Sequence, residues 1–316
     1  MNIDNDVTIK PKMLDKVLSR RDVLALIGKG TVAAIAFPSF GCIENTKEAK
    51  IGFQLYSIRR QIEKDFEGSI QKVSAMGYLG VETYPLPSNI SIERAAKVFK
   101  DNGLSIFSMH TELPIDDNLI PILRMAETFQ CSTIVHSGWP NNLSTQNSDL
   151  LIRTSEIYDS VDKLNKRVNL YNEINASLNK NGLRFGIHNH WWEFERSNNL
   201  YPFYYFLERL DKGIFFEIDT YWIKTAGFDP VKAVEDFGLR APFLHIKDGV
   251  AKKGSTMYSF ASAGKGSLDY PSIIKSSKGN VQWMIVEFDE YAGDIFEGIQ
   301  GSYSYLIKNG FAKGRE

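Results

Sequence analysis

Seven short apolar runs in this chain end on a histidine or a carboxylate. His110 closes LSIFSMH, His136 closes STIVH, His188 and His190 close LRFGIHNH, and His245 follows APFL in APFLHIK. Glu82, Asp219 and Glu287 take the same place in GVETY, GIFFEID and WMIVE. All five histidines of the chain belong to this set. Apolar runs of this length read as buried strands. They alternate with stretches of helical period, which predicts a parallel sheet with helical crossovers. In a closed barrel of such units the downstream strand ends form one face, and chemistry is built there. Side chains distant in sequence are then expected to meet in one ring of imidazoles and carboxylates.

The strands are expected at Ile51–Ser57, Leu79–Thr83, Leu104–Met109, Thr133–His136, Leu183–Ile187, Ile214–Ile218, Phe243–Ile246 and Val281–Val286. Helices are expected between them. One spans Glu63–Met76 and stops at Gly77; another opens at Ser91, a natural cap. A third lies near Asp117–Gln130. A polar loop from Gly138 to Ser148 leads to a longer helix whose buried stripe is Ile157, Val161, Leu164, Val168, Tyr171, Ile174 and Leu178. Tyr201–Leu210, a segment opened by Asp229-Pro230, Leu268–Ser276 and Asp294–Lys308 complete the series. Eight units in strict alternation predict an α/β fold, a (β/α)8 TIM barrel over residues 51–312. No G-x-G-x-x-G follows the first strand, which disfavours a dinucleotide-binding domain. Gly264-Lys265-Gly266 lacks the strand and helix context of a P-loop and reads as a flexible loop over the barrel mouth.

The first residues lie outside this pattern. Residues 1–41 combine basic side chains, the sequence Ser19-Arg20-Arg21-Asp22-Val23-Leu24 and an apolar stretch from Val23 to Phe40, the layout of an export signal. The paired arginines resemble a twin-arginine signal, with Val23 and Ala25 departing from its usual pattern. Gly41-Cys42 has the form of a lipoprotein cleavage site, so Cys42 is a candidate for lipidation and membrane anchoring. Residues 42–50 read as a linker. The expected location is outside the cytoplasm, in the periplasm or at a membrane. Cys42 and Cys131 are the only cysteines, which excludes a disulfide scaffold. The net charge of −1, with acids and bases interspersed, excludes a nucleic-acid surface.

The strand-end groups suit a divalent cation. Asp219, His245 and Glu287 come from the sixth, seventh and eighth strands, and such oxygen and imidazole donors suit Mn²⁺, Mg²⁺, Co²⁺ or Zn²⁺. The fourth ligand is expected from the fifth strand, where His188 and His190 share a face; one binds metal and the other shuttles protons. Each residue also has an ordinary reading. Asp219 could cap a helix, His245 could hydrogen-bond within the barrel mouth, and Glu287 could pair with Lys247. Glu82 and His110, on the second and third strands, are expected to line the substrate side. Lys247 is placed to hold a substrate oxyanion or hydroxyl. Trp191 and Glu193 follow the histidines as candidate substrate contacts; packing under a loop is the plainer role for Trp191, and Glu193 reads equally as a general acid/base or a solvated side chain.

The segments IGFQLYSIR, GYLGVETY, MHTEL, FGIHNHWWEFE, FFEIDTYWIKTAG, FLHIKDG, GKGSLDY and VEFDE together resemble the xylose-isomerase-like superfamily of sugar phosphate isomerases and epimerases. The resemblance implies a metal held by four strand-end groups, and abstraction of the proton α to a sugar carbonyl to give an enediolate. It implies Asp219, His245 and Glu287 as ligands and Glu287 as an acid/base. His188 stands where the epimerases carry a second Glu, so this chain keeps one of that pair of carboxylates. Three readings follow. The first is a metal-dependent isomerase or epimerase of a non-phosphorylated sugar or keto-sugar, since phosphorylated sugars are scarce outside the cytoplasm. The second is a metal-dependent lyase or dehydratase acting on a keto-sugar, keto-glycoside or inosose. The third is a non-catalytic carbohydrate-binding barrel.

Overall fold

The computed structural model describes residues 48–138, 158–195, 200–253 and 259–315. The expected signal segment, Cys42 and nearly all of the polar loop after Gly138 lie outside the described residues.

Eight parallel strands run in chain order: β1 (Ala49–Gln54), β2 (Gly80–Thr83), β3 (Ser105–Thr111), β4 (Thr133–His136), β5 (Arg184–His188), β6 (Phe215–Asp219), β7 (Phe243–Ile246) and β8 (Trp283–Val286). Each pairs with its chain neighbour, and β8 returns to β1 with Ile51 opposite Met284 and Phe53 opposite Val286. The sheet therefore closes, and no barrel strand is left with an unpaired edge. A two-residue strand, Ala312–Lys313, pairs along the start of β1. The helices are α1 (Phe66–Ala75), α2 (Ile92–Asp101), α3 (Leu119–Phe129), α4 (Val161–Lys180), α5 (Pro202–Arg209), α6 (Pro230–Phe237), α7 (Tyr270–Ser276) and α8 (Ile295–Lys308). No helix among the described residues is long and apolar enough to cross a membrane.

Side-chain caps set the helix starts. Ser91 accepts from the Arg94 N–H at 3.1 Å, and Asp229 accepts from the Val231 N–H at 2.9 Å with Pro230 in the first turn. The helix expected from Glu63 is broken instead. Arg59–Ile62 forms a single turn, and Asp65 accepts from the Gly68 N–H at 2.9 Å to restart the chain as α1. An aspartate that offers its oxygen to a nearby N–H favours a cap over a helix interior. Ser160 caps α4 in the same way, and Ile157 lies outside the described residues.

Val135, Phe215, Phe243, Trp283 and Ile285 pack as one buried cluster with Phe107 against it. They come from β3, β4, β6, β7 and β8, strands that can meet only across the barrel interior. Phe107 lies flat on Trp283, with centroids 3.9 Å apart and planes 11° from parallel. Room for these rings comes from glycines on nearby strands. A Cβ at Gly52 would lie 2.6 Å from Phe107, and one at Gly186 would lie 2.3 Å from Phe215. The cluster also sets the parity of each strand. With Phe215 inside, Glu217 and Asp219 are inside too; with Phe243 inside, so are His245 and Lys247.

Gly186→Ala is expected to force the Phe215 ring out of place and to destabilise the barrel by about 1–3 kcal/mol. A urea midpoint equal to that of the wild type would show that the interior has slack at this level.

Candidate active site

The strand ends bring His188, Asp219, His245 and Glu287 together. One donor atom from each lies within 4.8 Å of the others, and all four residues are buried. A second group, His110, His188, Glu217 and His245, meets the same criterion. The two share His188 and His245, and depth separates the rest, since Glu217 lies two residues deeper on β6 than Asp219.

Asp219 combines two roles. Its Oδ1 accepts from the Trp222 N–H at 3.0 Å and caps the short helix Thr220–Thr225. Its Oδ2 is buried with no well-directed hydrogen bond, and Lys247 Nζ stands 3.1 Å away. Asn189, between the two histidines of β5, fixes the strand at this point. Its Oδ1 accepts from the Asp219 N–H at 2.9 Å, and its Nδ2 donates to the Asp219 carbonyl at 3.2 Å. His245 Nδ1 lies 2.8 Å from Glu287 Oε2, and its Nε2 lies 3.0 Å from Glu82 Oε1 and 2.9 Å from Glu217 Oε1.

Lys247 is almost fully buried. Its ammonium meets Asp219 at 3.1 Å, Glu287 at 2.8 Å and Asp289 at 2.6 Å. These three carboxylates occupy the surroundings in which a substrate oxygen is expected from the sequence, so such an oxygen would have to replace one of them. Glu82 also lies elsewhere than expected. It is fully buried beneath the site, where its Oε1 accepts from Gln54 Nε2 at 2.7 Å, and so it does not line the substrate side. His110 is 8% exposed and directs Nε2 at Glu217 Oε1, 2.6 Å away.

Glu193 is buried as well. Its Oε2 accepts from the His190 N–H at 2.9 Å, and Tyr158 donates to its Oε1 at 3.3 Å. It braces the backbone of the histidine segment in place of a substrate contact. His190 stacks on Trp192, with centroids 4.2 Å apart and planes 8° from parallel, and Trp191 packs against Trp222 at 4.9 Å. His136 does not join the ring. Val135 takes the inward position on β4, so His136 faces outward against Tyr171 of α4, 5.9 Å away. The loop Gly264-Lys265-Gly266 is anchored, contrary to the expectation of flexibility. Asp248 accepts from the N–H groups of Gly264 at 2.9 Å, Gly266 at 3.0 Å and Leu268 at 3.2 Å. A carboxylate of the chain thus satisfies the backbone N–H groups of this loop.

Glu217 and Asp289 are absent from the residues expected at the site, yet the sequence carries a signal for them. Strands five to eight end in HNH, EID, HIK and EFD, each with two polar residues two apart. Alternation puts both members of each pair on the inner face.

Burial and charge pull these groups in opposite directions. Burial raises Glu217 and Glu287, but His245 and His110 outweigh it at Glu217, and Lys247 and His245 outweigh it at Glu287; both settle well below the usual carboxylate range. Burial lowers His245 and Lys247, and the facing carboxylates override it to leave both well above their ordinary values. Burial dominates elsewhere. Asp219 is pushed up to about 6, Glu82 to about 7 and Glu193 to about 8. His188 is pushed down to about 3, and His190 also falls well below its usual range, so both rings are uncharged near neutrality.

The donor set fits a divalent ion. Two carboxylates and two imidazoles converge, and Asp219 Oδ2 lies at 0% exposure without a directed hydrogen bond. The Lys247 ammonium beside it is shared among three carboxylates, so a divalent ion would offset desolvation cost that one ammonium leaves.

The xylose isomerase-like TIM barrel family matches residues 70–300. The chain belongs to that family. A search among curated proteins returns no match. Among solved structures, a sugar phosphate isomerase/epimerase from Parabacteroides distasonis is 22% identical with a TM-score of 0.67, over 90% of this chain and 100% of that one. The IOLI protein, solved with a zinc atom, is 12% identical with a TM-score of 0.62, over 83% of this chain and 98% of that one. A probable 3-DHS dehydratase, AsbF of Bacillus anthracis, is 14% identical with a TM-score of 0.58, over 82% and 98% of the two chains. At these identities the likeness to solved structures establishes the barrel.

His136 provides a pH test of the outward placement. Burial, aided by Arg167, lowers it from 6.5 to about 3. A depressed folded value means that stability is complete above about 6.5 and is lost as pH falls toward 3. His136→Gln should flatten that acid limb in urea titrations between pH 7 and 4. An unchanged slope would show that the ring takes a proton as readily folded as unfolded.

Proposed function

We propose that this family member is a divalent-metal-dependent isomerase or epimerase of a non-phosphorylated sugar or keto-sugar, working by removal of the proton α to a carbonyl. The observation that carries the reading is the convergence of His188, Asp219, His245 and Glu287 at the barrel mouth, each donor within 4.8 Å of the rest. These residues would hold the ion. When bound, it would act as a Lewis acid on adjacent carbonyl and hydroxyl oxygens of the sugar.

The chain's own groups handle the proton. Glu287 is ionised, and the Lys247 and His245 contacts at Oε2 leave its Oε1 as the oxygen that can accept the α-proton. His190 is uncharged, buried and held flat against Trp192, so it is a second acceptor whose ring plane is fixed. Asp289 and Asp219 keep the Lys247 ammonium beside Glu287, so the base stays anionic until substrate rearranges the cluster. Export, suggested by Arg20-Arg21 and the apolar stretch after them, favours a free sugar over a phosphorylated one.

A second reading is elimination on a keto-sugar, keto-glycoside or inosose. It is favoured by His188, an imidazole where the two-carboxylate epimerases carry Glu. Proton abstraction is common to both reactions, but a single carboxylate is left to return the proton, and loss of a β-leaving group needs no such return.

Elemental mass spectrometry on the purified protein should find about one Mn, Co, Zn or Mg per chain, lost in Asp219→Ala. No metal in either protein, even after incubation with excess Mn²⁺, would leave carbohydrate binding without catalysis as the reading to test. Glu287→Gln should lower turnover by about 10²-fold or more while the fold is kept. Full activity in that variant would remove Glu287 from the reaction. Proton NMR of keto-sugars in heavy water separates the two chemistries, since isomerisation conserves mass and elimination releases water or an aglycone.

A further inference from the structure

Glu217 sits beneath the four residues assigned to the ion and contributes to none of their coordination. It is at 0% exposure. Its Oε1 lies 2.6 Å from His110 Nε2, 3.1 Å from His188 Nδ1 and 2.9 Å from His245 Nε2. Three imidazole nitrogens, from β3, β5 and β7, thus surround one oxygen. The rings are locked against each other as well. His110 stacks on His245 with centroids 5.5 Å apart, and His188 lies 4.6 Å from His245.

An ionised carboxylate only accepts hydrogen bonds. Each ring nitrogen turned toward Glu217 must therefore carry the proton. For a neutral imidazole the other nitrogen then bears the lone pair. His188 Nδ1 is held by Glu217, so its Nε2 is the nitrogen left for the mouth. His245 Nε2 is held by Glu217 and Glu82 and its Nδ1 by Glu287, so both nitrogens carry protons, and Nδ1, the one at the mouth, must give up its proton to hold an ion. Had the His188 ring been free to flip, a hydrogen atom would face the place where a ligand's lone pair is needed.

We propose that Glu217 is a positioning residue that selects the ring nitrogens of His188 and His245 for metal binding, with His110 as a third contact that keeps its carboxylate in place. The assignment rests on the reading of His188, Asp219, His245 and Glu287 as the metal-holding set. It treats the deeper group, His110, His188, Glu217 and His245, as a hydrogen-bonded support and not as a second ion site.

The test uses the full chain, metal-free, with ¹⁵N-labelled histidine. Five histidines make every ring assignable by two-bond ¹⁵N–¹H correlation. In the wild type, His188 should show a protonated Nδ1 and an unprotonated Nε2. In Glu217→Gln that signature should give way to a tautomer mixture. Glu82→Gln, whose contacts reach His245 and His110 but not His188, should leave His188 unchanged. Competition with a chelator should show Mn²⁺ or Zn²⁺ bound about 10–100-fold more weakly by Glu217→Gln, at an unchanged one ion per chain. An Nε2-protonated His188 in the wild type would overturn the proposal without any variant having to fold. Unchanged tautomer and affinity in Glu217→Gln would also overturn it. Complete loss of metal in that variant, as in Asp219→Ala, would make Glu217 a ligand instead. Absence of metal from the wild type would defeat the metal reading, while the ring signatures would still decide whether Glu217 orients the histidines.

Discussion

Buried negative charge is the constraint around which the upper half of this barrel is organised. Glu82, Glu217, Asp219, Glu287 and Asp289 all turn inward, and one ammonium, Lys247, stands among three of them. Carboxylates taken out of water must be paired or neutralised. The chain does this in two tiers. Imidazoles meet one oxygen of each of the deeper pair, Glu82 and Glu217, and Lys247 bridges the upper three. A surplus of negative charge remains, and burial shows it by raising Asp219 and Glu82. A cation at the mouth would relieve part of what Lys247 leaves.

The lower half makes this arrangement possible. Phe107, Phe215, Phe243 and Trp283 fill the barrel floor, with Gly52 and Gly186 giving them room. A plugged floor keeps water from entering below, so the polar tiers above must solve their own pairing. It also fixes parity on β6, β7 and β8, where an aromatic ring in the floor decides which residues above it point inward. The same packing that stabilises the barrel thus aims Glu217, Asp219, His245 and Lys247.

Much of this is legible in the order of the amino acids. Alternating apolar runs and helical stretches identify the barrel, and strand-end chemistry identifies Asp219, His245, Glu287 and His188. What escapes is depth. One polar residue per strand end leaves out Glu217 and Asp289, although EID and EFD display the two-residue spacing openly. His136 groups with the other histidines because its run also ends on a polar residue. Only the floor packing of Val135 shows that β4 is out of phase. Glu82, Glu193 and Lys247 depart from expectation for a different reason. Their partners come from distant strands and from Tyr158, and a linear sequence does not say which charged side chain will be claimed by another before substrate arrives.

The exchange of a carboxylate for His188 alters the electrostatics of the mouth in a definite direction. Three carboxylates and one imidazole would carry a formal charge of −3, exceeding that of a divalent ion. The set here, Asp219, Glu287, His188 and His245, carries −2 and balances it. A balanced set withdraws less of a cation's polarising power, which helps a reaction that must develop negative charge on a sugar oxygen. The same exchange removes an anionic base and leaves His190 as a neutral imidazole, a proton acceptor but not, near neutral pH, an acid. Such a site is well furnished to take a proton and poorly furnished to return one from the opposite face. The balance between reprotonation and loss of a leaving group therefore turns on how far substrate and ion, by changing the charge around His190, let that ring hold the proton it receives.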